Sequence, residues 1–430
     1  MAEQMKPSGI DWIGDIPKSW KVTRLQTLFD QVKDKNSGTK EKNLLSLSYG
    51  KIVKKDIEGA FGLIPESFDT YNIIKKNDIV LRLTDMQNDQ VSLRTGLVKE
   101  EKGIITSAYV TIRLKCGSPS YYHWYLYAFD TSKQIYAFGQ GVRQSLTFEE
   151  LKKMLILLPS PKEQQAIADF LDEECAQIDS IAADLEKQIA LLQQYKKSLI
   201  TETVTKGLDK SAPMKDSGVE WIGKIPEHWQ KTRIKFEASI IGSGTTPDSG
   251  NSMYYDNGEH SWIQSGDLYG KDYIYETEKQ LTNLAILECH ALNWYTKDFV
   301  VVAMYGASVG NVAISKIDSF TNQACCVIKL NEKNDNRYLF YFLKAAQEEM
   351  LLKAFGGTQP NISQIIIKNL NFLNVPLLEQ IEIADFLDSK CDMINEMLKS
   401  KKDQYDILIK HKKSLIYEYV TGKKRVKEVQ

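Results

Sequence analysis

The stretch EQQAIADFLDEECAQID, residues 163–179, returns as EQIEIADFLDSKCDMIN at 379–395, an offset of 216. KKSLITETVT (196–205) returns at the same offset as KKSLIYEYVT (412–421). No Pro or Gly interrupts the first run from Glu163 to Thr205. Within it Leu171, Ile178, Leu185, Leu192 and Leu199 recur every seven residues, with Ile181 and Tyr195 three residues after members of that set. This predicts a coiled-coil seam of about five heptads. The second run repeats it as Leu387, Ile394, Lys401, Leu408 and Leu415, with a polar break at Lys401. Each run makes a rod of roughly 64 Å at about 1.5 Å per residue. Pro159 and Pro161 precede the first helix and Pro376 the second, as suits helix starts.

Charge predicts how the helices pair. Residues 163–186 carry eight acids and no Lys or Arg, whereas 399–413 carry six lysines against two acids. An antiparallel pair sets the acidic start of one helix beside the basic end of the other. A parallel pair would set acid against acid, so an intramolecular antiparallel coiled coil is expected.

Working outward, SGIDWIGDIPKSWKVTRL (8–25) matches SGVEWIGKIPEHWQKTRI (217–234), with ten of 18 positions identical at an offset of 209. The chain is therefore two tandem copies of about 210 residues. Each has a Trp/Pro lead-in segment, a divergent region and a long helix. The order of segments is that of a pseudo-two-fold ring cut open at one place. The expected domains are 1–161 (lead-in and first recognition domain), 162–206 (first long helix), 207–377 (linker, lead-in and second recognition domain), and 378–430 (second long helix and tail).

The divergent regions share a strand-then-helix order. The first has DIVLRL (78–83) and AYVTIRL (108–114), then YYHWYLYAF (121–129). The second has FVVVAMYG (299–306), NVAIS (311–315) and ACCVIKL (324–330), then YLFYFLKAAQEEMLLKAF (338–355). Both are expected to be small α+β domains of one fold with different loops. The fold class is α+β: two similar recognition domains separated by two long antiparallel helices.

Composition sets limits. A chain of 430 residues and 49.0 kDa is too long for one ordinary core. No run approaches the ~18 uncharged apolar residues of a membrane helix, and Met1 to Trp20 holds no signal-like apolar core. The six cysteines form no C-x-x-C pair, so a reduced, cytoplasmic protein is expected. Lys+Arg is 55 and Asp+Glu 56, for a net charge of -1, which by itself does not suggest a nucleic-acid partner. Locally the picture changes. Residues 20–160 hold 21 Lys+Arg against 15 Asp+Glu, net +6, and residues 229–377 hold 13 against 15, net -2.

The loops suit base reading. RLTDMQNDQ (82–90) with Arg94 and Thr95 gathers side chains that pair with base edges, Arg with guanine and Asn or Gln with adenine. GQGVRQS (139–145), GSGTTPDSG (242–250), WIQSGDL (262–268), YGASVGN (305–311), TNQ (321–323) and GGTQPNISQ (356–364) are Gly-, Ser- and Thr-rich loops whose N–H groups can approach phosphates. An enzyme site is missing from the sequence. There is no GxxxxGK[ST] loop and no [DNS]PP[YFW] run, and the five histidines have no metal spacing. Cys325 and Cys326 read as core, and Trp12, Trp20, Trp221 and Trp229 as packing at the helix–domain joint.

Together these residues resemble the DNA-specificity subunit of type I restriction-modification systems. The resemblance covers nearly the whole chain. It rests on W-I-G-x-I-P-x-x-W, E-Q-x-x-I-A-D-F-L-D, K-K-S-L-I-x-E-x-V-T, GGTQPNIS and NQAC. It implies a non-catalytic reader of a bipartite, asymmetric DNA site, with the helices as a ruler for the spacer. It implies double-stranded DNA, two methyltransferase subunits and two motor-endonuclease subunits as partners. S-adenosylmethionine, ATP and Mg would belong to those partners alone; no cofactor is expected in this chain. By resemblance, 82–95 and 139–145 face the first half-site, with Arg82, Thr84, Asp85, Gln87, Asn88, Arg94, Thr95, Arg143 and Gln144 as candidate contacts. The second half-site falls to 243–247, 262–267, 305–311, 322–323 and 356–364. The candidates there are Ser243, Thr245, Thr246, Gln264, Ser265, Tyr305, Ser308, Asn322, Gln323, Thr358, Gln359 and Asn361. Lys196, Lys197, Lys412 and Lys413 at the helix ends read either as partner or DNA contacts or as solvated charge. Two other readings stand beside this one: a coiled-coil adaptor linking two protein partners, and a DNA-acting enzyme with an unrecognised site.

Overall fold

A computed structural model describes residues 4–55, 67–84, 93–137, 145–356 and 360–426. The chain forms two compact units, one of residues 1–186 with 402–430 and the other of 187–401. Each unit therefore takes the start of one long helix and the end of the other.

In the first unit, an antiparallel sheet runs in the order Phe29–Gln31, Val110–Leu114, Ile79–Leu81, Thr95–Leu97. The helix Pro119–Thr131 follows, with Ser118 as its cap and Pro at its first position. Its buried aromatics, Tyr121, Tyr122, Tyr125 and Phe129, join Phe29, Ile79 and Ile112 in one core. The lead-in strand Lys21–Arg24 pairs antiparallel with Leu155–Leu158, the last strand before the long helix.

The second unit repeats this frame. Its sheet runs Ala238–Ser243, Cys325–Leu330, Phe299–Ala303, Val312–Ser315, then the added strand Tyr273–Ile274. Gln230–Arg233 pairs with Asn371–Asn374. Cys325 and Cys326 are both fully buried in the sheet, as their apolar setting implies. The helical run of 338–355 is split into Asn336–Ala345 and Gln347–Leu352. The break falls at Ala346, which is fully buried with φ -82° and ψ 5°, outside the helical region. Met350 then turns into the core.

The long helices are continuous over Pro161–Lys206 and Leu377–Val420. In the first unit Glu163 meets Arg425, Phe170 packs on Tyr419 at 4.5 Å, and Asp179 meets Lys412 at 2.5 Å. Numbers rise on one helix as they fall on the other, so the pairing is antiparallel. The second unit gives the same sense: Lys196 donates to Asn395 at 2.9 Å, and Gly207 lies beside the Glu379 carboxylate. Leu171, Ile178 and Leu185 are buried, as are Leu387, Ile394 and Leu415. The second row of the seam differs from expectation. Ile181 and Tyr195 are 52% and 56% exposed, while Cys175 and Ala182, four residues after seam positions, are 2% and 7% exposed. Small side chains in that row let the backbones approach, and the larger ones turn outward.

The repeated motifs have repeated jobs. Trp20 and Trp229 are fully buried, and their indole N–H groups donate to Glu163 at 3.1 Å and Glu379 at 2.9 Å. Ser160 and Glu163 bond reciprocally as a capping box on the first helix. Tyr121 and Tyr338 donate to the carbonyls of Val420 and Val204 at the helix ends, at 3.1 and 3.0 Å. These phenols satisfy carbonyls that a helix terminus leaves open.

Candidate nucleic-acid interface

In the second unit the loops singled out in the sequence converge. The Thr246 hydroxyl donates to the Gln323 amide oxygen, and the Gln323 side chain also bonds the Tyr305 hydroxyl. Burial, with Cys325 close by, pushes the Tyr305 phenol up, so it stays neutral. Ser308 is 4% exposed and donates to the Ser265 carbonyl at 2.6 Å. Asn322 donates its N–H to the Ile263 carbonyl at 2.9 Å, and its side chain accepts from Ala324 at 3.0 Å. Gln264 caps the turn Ser265–Leu268, donating its N–H to buried Asp267 at 2.8 Å. Ser243 and Thr245 present carbonyls to Tyr295 at 3.1 Å and to the Trp262 indole at 3.3 Å. The 356–364 loop is tied in at its far end: Asn361 exchanges backbone bonds with Phe355, and Ile362 donates to Met304 at 2.7 Å.

Gly244 shows how close these segments are. A Cβ there would stand 1.7 Å from the Thr321 carbonyl oxygen. Gln323 and Asn361 are exposed, Thr246, Gln264 and Tyr305 half-buried, and Ser308 and Asn322 buried. Ser308 and Asn322 are structural supports of this surface, while Gln323 stands at its face. Thr358 and Gln359 lie outside the described residues.

In the first unit, Arg82 is half-buried and Thr84 exposed. Asp85, Gln87, Asn88, Arg143 and Gln144 lie outside the described residues. Arg94 and Thr95 sit differently from the expectation of base contacts: Arg94 is 0% and Thr95 1% exposed. Thr95 belongs to the inner strand Thr95–Leu97, and Arg94 bonds backward into the unit. Leu146 donates to the Leu83 carbonyl at 2.9 Å, tying the 145–146 segment to the root of the 82–84 segment. Beneath them Arg113 holds Asp78 through two 2.7 Å bonds, with Asp78 buried.

Of the helix-end lysines, Lys196 and Lys412 have side chains only 17% and 10% exposed and are held in ion pairs within their own units. Lys197 is more open and pairs with Glu348. Among the described residues no group of three or more His, Cys, Asp or Glu is placed to hold a metal. No described helix is long and apolar enough to cross a membrane.

The family described as the type I restriction modification DNA specificity domain matches residues 17–191 and again 226–404. The chain belongs to this family. Its two matches fall on the two repeats, so this specificity subunit carries two DNA specificity domains. It is 24% identical over 427 residues to the MjaVIII type I restriction enzyme specificity subunit of Methanocaldococcus jannaschii, covering 96% of this chain and 95% of that one. Among solved structures it is similar in fold to a chain from work on complex assembly and conformational transition of the type I R-M system. The TM-score there is 0.70 and the identity 14%, over 94% of this chain and 98% of that one. It is also similar to the HsdS subunit from Thermoanaerobacter tengcongensis, with a TM-score of 0.51 and 14% identity, covering 95% and 98%.

Sequence reasoning missed the roles of Gln164 and Gln380. Both are essentially inaccessible and staple each recognition segment to its helix start. The duplicated E-Q was the available signal. It also missed the inward direction of Arg94, for which burial of one arginine in a polar loop gives no sequence signal.

Proposed function

We propose that this specificity subunit reads a bipartite, asymmetric DNA site, one tract through each unit, and directs adenine methylation and restriction by partner subunits without catalysing either. The observation that carries this is one sheet frame built twice with different polar connections at the same place. The connection from Ile79–Leu81 to Thr95–Leu97 spans 82–94 in one unit, and the equivalent one from Phe299–Ala303 to Val312–Ser315 spans 304–311 in the other. A shared frame with different loops suits two different ligands of one chemical class. Segments 1–161 and 207–377 would carry the two recognition surfaces, and 162–206 and 378–430 the helices that set the spacer.

The candidate contacts for the second tract are Thr246, Gln264, Tyr305, Gln323 and Asn361, and from the sequence Thr358 and Gln359. Those for the first are Arg82 and Thr84, with Asp85, Gln87, Asn88, Arg143 and Gln144. The helices leave Ile181, Leu191, Met393, Met397 and Ile407 at least half exposed. Within each unit such residues suit docking of a protein partner, here a methyltransferase subunit, with two motor-endonuclease subunits completing the assembly. S-adenosylmethionine, ATP and Mg would act in those partners. Restriction in the cell places the protein in the cytoplasm.

The test is selection from random duplex. The full chain with its methyltransferase partners should recover two short tracts separated by an unspecified gap. Gln323→Ala should relax one tract and leave the other. Equal binding of all duplexes would overturn the reading.

A further inference from the structure

We propose that Arg94 is a positioning residue for the first recognition surface: it acts from inside the unit on Arg82 and Thr84 and does not itself touch DNA. The proposal rests on the reading above and assigns a cause to the geometry of one half of it.

Arg94 is 0% exposed. One guanidinium nitrogen donates to two main-chain carbonyls, Arg82 at 3.2 Å and Thr84 at 2.9 Å. Its Nε donates to the Tyr136 hydroxyl at 3.3 Å, and the guanidinium lies 5.7 Å from the Tyr136 ring centre. The backbone of Arg94 is held as well. Its N–H donates to buried Asp130 at 2.6 Å, and its carbonyl accepts from Arg82 at 2.8 Å. One residue thus joins the end of a strand pair, the helix Pro119–Thr131 through Asp130, and the turn Gln134–Ala137 through Tyr136. Leu83, between the two bonded carbonyls, points inward at 1% exposure, so Thr84 beside it is turned out.

The second unit shows why a side chain is needed. Its equivalent connection, 304–311, closes on main chain alone. Gly310 donates to Ala303 at 2.8 Å and Ala303 to Asn311 at 2.9 Å, with Gly310 at φ +79°. The longer connection in the first unit keeps the second of these bonds, from the Arg82 N–H to the Arg94 carbonyl, and in place of the first the Arg94 guanidinium bonds the Arg82 carbonyl. Only Arg offers several coplanar donors on one rigid, always charged group, so it can bond two carbonyls and a phenol together. A lysine there keeps the charge and loses the fork.

The experiment is duplex selection with the full chain and its methyltransferase partners, comparing wild type, Arg94→Met, Arg94→Lys and Tyr136→Phe. Gln323→Ala marks the tract that belongs to the second unit. Thermal melting of each variant is recorded alongside. Arg94→Met should lower discrimination about ten-fold or more at the tract that Gln323→Ala leaves intact, and less than two-fold at the other. Arg94→Lys should fall between wild type and Arg94→Met at the same tract, and Tyr136→Phe should shift it in the same direction by less. If Arg94→Met does not fold, the graded, one-tract effect of the other two variants decides. Equal loss at both tracts, or no loss in any folded variant, would overturn the proposal. A wild type that recovers no tract would overturn the parent reading and this inference with it.

Discussion

Replacing Gln380 by Leu removes a staple at the root of the second unit while nearly conserving volume. Gln380 is 0% exposed. Its carbonyl accepts from the Asp335 N–H at 2.9 Å, and its amide donates to the Val375 carbonyl at 2.7 Å and the Asn334 side chain at 2.8 Å. Asp335 caps the helix Asn336–Ala345 through bonds from Arg337 and Tyr338. Gln380→Leu takes this partner from the half-buried Asp335 N–H and from the buried Val375 carbonyl, at about 1–3 kcal/mol each. We expect a loss of about 3 kcal/mol, equal to a fall of roughly 9 °C in Tm for a unit of this size. Gln164 in the first unit bonds Ser118 and Pro159, both at 3.0 Å, so Gln164→Leu should cost a similar amount. The assay is urea unfolding followed by tryptophan fluorescence, since Trp20 and Trp229 each bond the Glu next to these glutamines. A change under about 0.5 kcal/mol in either variant, the range of ordinary surface substitutions, would refute the claim that the E-Q pair holds the recognition segments to the helices.

Leu171→Ala should cost about 2–5 kcal/mol by cavity formation, while Ile181→Ala, on the exposed face, should stay within about 0.5–1 kcal/mol; chemical denaturation of both variants checks which row is the seam. Gly244→Ala should displace the 243–247 segment from Thr321, because no rotation relieves a Cβ against a carbonyl; a drop in Tm with loss of one DNA tract is expected, and wild-type behaviour in both would contradict the geometry. His123 is buried among apolar groups, near the charges of Lys99 and Lys412, and its pKa is pushed down to about 4. Its folded-state value therefore lies below the unfolded value, so stability is full above about pH 6.5 and falls as the unfolded state takes up the proton. Between pH 6.5 and 4.5 the wild type should lose about 2 kcal/mol relative to His123→Phe, measured as unfolding free energy against pH; parallel profiles would refute it.

The repeat, the two helices and their antiparallel sense were legible because each is written in features that sequence displays directly: identity at a fixed offset, seven-residue spacing, and acids opposite lysines. The second row of the seam was not, because Cys175 and Ala182 are small and the eye follows Ile181 and Tyr195. Packing rewards close backbone approach there, and hydrophobic size misleads. The strand frame was legible as order, DIVLRL to Ile79–Leu81 and ACCVIKL to Cys325–Leu330, with ends trimmed by loop bonds. The candidate site was legible as loops and less so as residues. Polar loop residues look alike in sequence whether they face outward, as Gln323 does, or bond inward, as Arg94 and Ser308 do. Direction depends on which carbonyls a fold leaves open nearby, and those come from segments as distant as Ser265 is from Ser308.

In the proposed function, two units of one chain specify two separated DNA tracts for modification by partners. Sequencing of methylated adenines across the genome of the host, with and without this gene, tests it most directly. One split motif, two specified tracts about a fixed unspecified spacer, should lose its adenine methylation when the gene is removed. An unchanged set of methylated motifs, or the loss of a single contiguous one, would contradict it.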